Sequence, residues 1–199
     1  NNLVLLTGAK GFTGKPLTEM LIKKNYKVLS LDCDITNTLN LEEFLKNTQP
    51  DYVIHLAAIS NVSCKDDSMI HKVNVEGTRN LLNNINKMVN YPKLVVIASS
   101  AYVYAALENS ILSENSALAP SNSYGKSKLE MELLCEGFKN LKILITRPFN
   151  YTGDGQDQNF LVPKIVDHFK LKKKEIALGN INIKREFNDI SDVCKIYTK

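Results

Sequence analysis

Leu3-Val4-Leu5-Leu6-Thr7-Gly8-Ala9-Lys10-Gly11-Phe12-Thr13-Gly14 is the stretch that decides the fold. The apolar run at 3–6 has no polar alternation, as expected of a strand covered on both faces in a parallel sheet. Three glycines follow, and residues 15–24 form an amphipathic segment. The order is strand, glycine turn, helix. Glycine at positions 8, 11 and 14 lets the backbone turn tightly and approach a pyrophosphate, which then sits at the positive end of the helix. The spacing is G-x-x-G-x-x-G rather than the G-x-G-x-x-G of many dehydrogenases. By itself it leaves open a turn that packs a helix on a strand and binds nothing.

The alternation continues along the chain. Apolar runs at 27–31, 52–56, 94–98 and 141–146 read as strands. Residues 41–46, 69–89, 124–138 and 160–171 carry apolar positions at helical spacing, and a short last helix begins near Ser191. This is the α/β pattern of a doubly wound parallel sheet, with right-handed crossovers placing helices on both faces. Ligands of such sheets lie outside the carboxyl ends of the strands. The polar residues to weigh are therefore Asp32, Ala57-Ala58, Ser99-Ser100 and Asn150.

Bulk properties narrow the class. The 199 residues suggest one domain or a little more, and 44% hydrophobic residues suffice for a sizeable core. A net charge of +4 is mild, and Lys172-Lys173-Lys174 reads as a solvated helix end, since no aromatic residues interleave with it. No nucleic-acid partner is expected. Cys33, Cys64, Cys135 and Cys194 are far apart, which suggests neither a zinc site nor a disulfide framework and fits a reducing, cytoplasmic setting. No apolar run reaches the ~18 residues of a membrane span, and no signal peptide is visible. The chain starts inside its first strand and has no stop signal at its far end, so both ends are expected to be trimmed relative to the natural protein.

Tyr124-Gly125-Lys126-Ser127-Lys128 carries the chemistry. On a helix, Tyr124 and Lys128 share one face, a turn apart. A tyrosine of pKa ~10 is almost wholly protonated at neutral pH, and lowering that value to ~7 takes ~4 kcal/mol. A desolvated ammonium close by is expected to favour the phenolate. A Y-x-x-x-K pair alone is common. Joined to the glycine turn and to a serine pair after the intervening strand, it is not.

With these residues the chain resembles the extended short-chain dehydrogenase/reductase family, which includes the sugar-nucleotide epimerases, dehydratases and reductases. The resemblance covers essentially the whole chain. His55-Leu56-Ala57-Ala58 looks like the family's stretch over the cofactor, and the segment from Asn74 to Leu82 is similar to its N-x-x-G-T-x-N-L-L helix. Ser99-Ser100-Ala101-Tyr102-Val103-Tyr104 looks like its S-S-x-x-V-Y segment, in which Ser100 takes the catalytic place and Ser99 reads as a strand-end residue. The resemblance implies Ser100, Tyr124 and Lys128 as catalytic residues. It implies cofactor contacts from Gly8, Gly11, Phe12, Thr13, Gly14, Asp32, Asp34, Ile35, Leu56, Ala57, Ala58, Asn74, Ser99, Tyr124, Lys128 and Pro148. Residues 1–150 then form an NAD(P)-binding Rossmann domain, and 151–199 an incomplete part of the sugar-nucleotide lobe.

An acid at the end of the second strand can bind ribose hydroxyls and repels a 2′-phosphate, so Asp32 slightly favours NAD(H) over NADP(H). Asp34-Ile35 matches the family's adenine element better than Asp32 matches its ribose acid, because the strand that often separates the two is missing. Arg147-Pro148-Phe149-Asn150 through Gln156, and the segment from Leu178 to Ile190, resemble GDP-4-keto-6-deoxy-D-mannose reductases and their relatives. That match implies substrate contacts from Ser100, Asn150, Leu161 and Arg185, the last two outside the Rossmann domain. An arginine fork suits phosphate oxygens, although a surface ion pair of Arg185 with Glu186 or Asp189 is the alternative. Asp189 and Asp192 read as structural, capping the last helix.

The 4,6-dehydratases of the family carry an acid just beyond the catalytic serine or threonine. Here Ala101 and Tyr102 follow Ser100, which disfavours elimination. A reductase is favoured, with a sugar-nucleotide 4-epimerase as the alternative and a catalytically dead cofactor-binding module as a remote one. A nucleotide-sugar substrate and a homodimer, built on the helices near 69–89 and from Tyr124, complete the expectation.

Overall fold

The computed structural model describes residues 2–60, 66–105, 111–179, 181–182 and 184–199. Cys64, Asn180 and Ile183, which the sequence reading used, lie outside the described residues. Strands β1 (Leu3–Thr7), β2 (Lys27–Leu31), β3 (Tyr52–His55), β4 (Leu94–Ala98) and β5 (Ile143–Thr146) form one sheet in the order β2-β1-β3-β4-β5. Every pairing in it is parallel; Val4 lies between Val28 and Tyr52, and Val95 between Val53 and Ile143. The chain reverses its direction of winding between β1 and β3, and the carboxyl ends of those strands flank the crevice this reversal creates.

Side chains alternate between the two faces of each strand. Leu5, Val53, Val95 and Ile97 meet Leu41 of α2 (Thr38–Leu45), Leu81, Leu82 and Ile85 of α4 (Thr78–Ile85) and Met131 of α5 (Ser123–Cys135). Val4, Leu6, Ile54 and Val96 face Leu17 and Leu21 of α1 (Gly14–Lys23). Ile190 and Cys194 of α7 (Ile190–Tyr197) pack into that second layer. The last helix, grouped from sequence with the substrate lobe, is therefore part of the sheet's covering. What stands away from the sheet is the short parallel pair β6 (Asn150–Thr152) and β7 (Phe187–Asp189), with α6 (Leu161–Lys170), which buries none of its residues.

Two strands differ from the expectation of full burial. In β2 only Leu31 is buried, and in β5 Leu144 is 49% exposed, because both lie at the ends of the strand order. The helix expected over 69–89 is three segments: α3 (Asp67–His71), a wide i→i+5 turn over Lys72–Gly77, and α4. It stops at Ile85, and the chain then tightens through Met88 N to Ile85 O. Side-chain caps start most helices: Asn37 on α2, Asp66 on α3, Asn122 on α5, and Asp189 on α7 through Ser191 N at 2.7 Å. Asp189 thus caps as expected, while Asp192 pairs with Lys195 at 2.7 Å. Among the described residues, no side chain caps α1.

Candidate active site

The glycine turn folds tightly under β3. Gly8 has φ +69, and a Cβ there would lie 2.9 Å from Ala57 N. Only glycine adopts that backbone without strain and still admits the neighbouring strand end. A Cβ on Gly14 would run into Gly8 O and the backbone of Ala9, and Gly11 N donates to Gly8 O at 3.0 Å. Lys15 N bonds Gly11 O, and Thr13, at the N-cap of α1, turns its hydroxyl to Tyr151 and leaves the first amides without a side-chain cap. The amides opening α1 face an anion's approach with the helix dipole behind them.

Beside the turn lies a cleft of about 390 Å³, lined by Gly8, Gly11, Asp32, Asp34, Ile35, Ala57 and Val73 among others. At its mouth Lys10 Nζ stands 3.1 Å from Asp32 Oδ1, an exposed pair that crosses from the turn to the end of β2. Ser30 Oγ also donates to that oxygen, and these contacts hold the Asp32 carboxyl below its ordinary value. Asp34 accepts from Thr36 N and Oγ1, folding the acid back into its own turn. Cys33 shares this lining, and burial raises its thiol pKa.

Ala57 is held in place by an ordered chain of hydrogen bonds. Thr7 Oγ1 accepts from Leu56 N and Ala57 N at 3.1 and 3.0 Å and lies 2.6 Å from His55 Nδ1. With both lone pairs of Thr7 taken, its hydroxyl donates to Nδ1. His55 Nε2 then carries the hydrogen and donates to Thr78 Oγ1 at 2.9 Å, and Thr78 donates to Asn74 O at 2.7 Å. Burial, aided by the charge of Lys128, lowers the His55 pKa to about 3.

Ser100, Tyr124 and Lys128 gather at the carboxyl end of β4. Ser100 is buried, and its Oγ accepts from Tyr102 N at 3.2 Å. Asn122 caps α5, which starts the helix beside Tyr124, and Gly125 packs so tightly on Tyr102 O that no side chain fits there. Burial pushes the Tyr124 phenol up to about 12; a hydrogen bond with Ser100 opposes this, and the nearby Tyr151 and Tyr102 add to it. The expected lowering by Lys128 is not what this arrangement produces. Lys128, itself buried, donates from Nζ to Ala98 O at 2.7 Å, and desolvation lowers its pKa to about 8 against the pull of Glu132. Burial, rather than any contact of the ammonium, sets the direction for the phenol. Ser99 Oγ, one residue before Ser100, is buried with no hydrogen-bond partner. Such an orphan at a strand end is a group that a bound ligand can satisfy.

Other expected contacts are placed differently. Asn74 is fully buried; its Oδ1 accepts from Ile59 N and its Nδ2 donates to Ile59 O and Ser127 Oγ. With all its polar atoms engaged, it fixes the chain after β3 instead of facing the cleft. Phe12 and Thr13 turn their side chains to Tyr151. Pro148 O accepts from Ala101 N. Asn150 Nδ2 donates to Glu186 O at 3.3 Å, which brings Asn150 close to the residue after Arg185. Arg185 is exposed, with a bond from Nη1 to Lys184 O, and Leu161 is 46% exposed at the start of α6.

Three residues at this end of the sheet had no role assigned from the sequence: Arg147 and Tyr151, within the stretch 147–156, and Tyr197, in no motif. Arg147 forms a two-pronged ion pair with the buried Glu132, at 2.6 Å from Nη2 to Oε2, and its guanidinium lies over the Tyr104 ring. Tyr151 and Tyr197 crowd toward Tyr124, and burial raises both phenols. Only the fold reveals them, since Tyr197 arrives from the opposite end of the chain on α7.

A glycine turn after β1 and the Tyr124–Lys128 pair of α5 beside Ser100, all at the carboxyl edge of one parallel sheet, are the layout of the short-chain dehydrogenases/reductases. The model of the NAD dependent epimerase/dehydratase family matches residues 4–199, and the chain belongs to that family. Membership makes a nicotinamide dinucleotide its cofactor, which agrees with the glycine cradle, the cleft and the orphaned Ser99 hydroxyl. The chain is 38% identical to GDP-6-deoxy-D-talose 4-dehydrogenase of Aggregatibacter actinomycetemcomitans, matching 97% of this chain and 68% of that protein. It is 29% identical to GDP-6-deoxy-D-mannose reductase of Pseudomonas aeruginosa, over 98% of this chain and 69% of that one. The structure of RMD from Pseudomonas aeruginosa complexed with NADPH superposes with a TM-score of 0.87 at 28% identity, over 99% of this chain and 70% of that chain. No helix among the described residues is long and apolar enough to cross a membrane.

Proposed function

We propose that the chain is an NAD(P)H-dependent reductase of a nucleotide-activated 4-keto-6-deoxy sugar, with a GDP-linked sugar favoured. The observation that carries this reading is the gathering of Ser100, Tyr124 and Lys128 at the carboxyl end of β4, where burial keeps the phenol protonated. A group that holds its proton at neutral pH is ready to give it to a carbonyl oxygen that gains charge. The bound dinucleotide supplies the hydride to C4. Tyr124 donates the proton to the C4 oxygen, and Ser100 hydrogen-bonds that oxygen as its charge develops. Lys128 holds the nicotinamide ribose and biases Tyr124, with the N–H donors that its bond to Ala98 O leaves over.

Gly8, Gly11, Gly14 and the amides of Phe12 and Thr13 take the pyrophosphate in this reading. Asp32 takes the ribose hydroxyls, Asp34-Ile35 the adenine edge, and Leu56, Ala57 and Ala58 line the far wall. Lys10, paired with Asp32, offsets the charge that would reject a 2′-phosphate, so NAD(H) keeps only a slight advantage over NADP(H). Asn150, Arg185 and Leu161 serve the nucleotide sugar, in the part of the sugar-nucleotide lobe built around β6, α6 and β7. The residues after Ser100, Ala101 and Tyr102, give no carboxylate for elimination. The chain's likeness to two proteins named for GDP-6-deoxy sugars supports the GDP preference. The well-separated thiols, of which Cys33, Cys135 and Cys194 are free, support a reducing, cytoplasmic setting.

The test mixes full-length protein with NADPH or NADH and a GDP-4-keto-6-deoxy sugar and follows the nicotinamide absorbance. Oxidation of the added cofactor is the expected result. Tyr124→Phe is expected to lower kcat by about 10³-fold while cofactor binding, followed by nicotinamide fluorescence, is retained. Full activity of that variant would remove Tyr124 from the role. Ser100, Tyr124 and Lys128 equally suffice for a 4-epimerase, which would interconvert a UDP- or GDP-hexose without net oxidation of cofactor. Binding without either reaction would leave a cofactor-binding module.

A further inference from the structure

Tyr151 occupies an unspecified position of the stretch 147–156, yet it stands where the two halves of the site meet. Its hydroxyl lies 2.9 Å from Thr13 Oγ1. Its ring stacks on Phe12, with centroids 5.9 Å apart and planes 12° from parallel. Phe12 and Thr13 are the residues of the glycine turn that open α1. Tyr151 itself follows Asn150 directly in β6 and pairs in register with Asn188 of β7. It is also close enough to Tyr124 for its charge to raise that phenol's pKa.

The surroundings keep Tyr151 from swinging freely. Its carbonyl accepts from Gln156 Nε2 at 3.2 Å, and Gln156 Oε1 accepts from Thr152 Oγ1 at 2.8 Å, which ties β6 to the loop after it. Two residues on, Gly153 packs against Ile190 so closely that a Cβ would collide with its side chain. Ile190 in turn shares one apolar cluster with Phe12 and Tyr151. Phe12 and Thr13 thus contact Tyr151 directly, and one peptide bond joins Tyr151 to Asn150.

We propose that Tyr151 is a positioning residue that couples occupancy of the glycine turn to binding at the β6–β7 pair, so that dinucleotide and nucleotide sugar bind with positive linkage. This rests on the reading of the site given under Proposed function. The physical basis is shared ordering. A pyrophosphate that fixes the turn also fixes Phe12 and Thr13, and with them Tyr151 and Asn150. The second ligand then meets a strand pair whose ordering cost is already met. Linkage is reciprocal, so either ligand raises affinity for the other by the same factor.

The experiment measures this factor by calorimetry on full-length protein, titrating GDP-mannose with and without saturating NADP⁺ or NAD⁺. Wild-type protein is expected to bind GDP-mannose about fivefold tighter or more with dinucleotide present, the lower end of ordinary coupling. Tyr151→Phe keeps the ring on Phe12 and loses the hydroxyl. It is expected to bring the factor below about two, with each ligand's separate affinity changed by less than about threefold. Thr13→Val removes the other end of the same hydrogen bond and is expected to give the same loss of the factor, whatever it does to dinucleotide affinity alone, and the double variant no more. A purely structural Tyr151 would weaken both separate affinities and leave the factor unchanged. Undiminished linkage in both single variants, or no linkage in wild type, overturns the proposal. Failure of wild type to bind either dinucleotide overturns the reading of the site itself, and the proposal with it.

Discussion

His55 shows how much a single side chain decides here. Folded, it stays neutral, with burial lowering its pKa to about 3, whereas an unfolded chain's histidine titrates near ~6.5. Between these values the unfolded state binds a proton that the folded state refuses. Its contribution to stability is therefore fully present above about pH 6.5 and is lost as pH falls toward 3, with a slope of at most about 1.4 kcal/mol per pH unit. Urea unfolding at pH 7, 6 and 5 should show this decline, and His55→Gln should flatten it. Flat stability in wild type would contradict the assignment. The sequence marked His55 only as the first letter of a strand-end pattern. Its partners Thr7 and Thr78 are far away in the chain, so their convergence becomes visible only when β1, β3 and α4 meet. The same limit applies to Tyr124. The Y-x-x-x-K spacing identified it, but not the direction of its pKa, because the burial that raises it is set by neighbours such as Tyr151 and Tyr102 that the spacing does not place.

At the scale of elements, the strand–turn–helix unit at the start of the chain was the most legible part. Its glycines are required by contacts within the unit and by the adjoining end of β3. Gly14→Ala places a methyl against Gly8 O, and the turn must open to admit it. We expect a loss of about 1–3 kcal/mol in stability, read from urea unfolding, together with weaker dinucleotide binding by fluorescence. Unchanged stability and binding would show that the turn is not the rigid cradle described. Less legible was the helix from Asp67 to Ile85. Its apolar spacing was right for a helix, but the wide turn at Lys72–Gly77 has no signature in periodicity. That turn carries Asn74, whose amide pins Ile59, and this is why Asn74 shapes the cleft wall without touching the cleft. The edge positions of β2 and β5 were equally hidden, since an apolar run looks the same whether one strand or two flank it.

The whole molecule brings distant segments to one edge of the sheet: the turn at 8–14, the serines at 99–100, α5, and Tyr197 from the last helix. The alternating pattern predicted the sheet and the edge, but not that α7 returns to cover α1. A homodimer is proposed on the face where α3 and α4 pack beside α5, with Met69 and Leu133 45% and 59% exposed there. Sedimentation of full-length protein is expected to give twice the monomer mass, and a monomer at micromolar concentration would reject that face. The hydrogen-bond chain through His55 has a further consequence. Every donor in it points the same way, from the amides of Leu56 and Ala57 through Thr7, His55 and Thr78 to Asn74 O, so no single group can reverse without the others. Locked in one sense and shut off from water, the Thr7 and Thr78 hydroxyl protons should exchange slowly enough to give their own proton resonances at neutral pH. Those two signals would be a built-in spectroscopic gauge of whether β1, β3 and α4 are assembled.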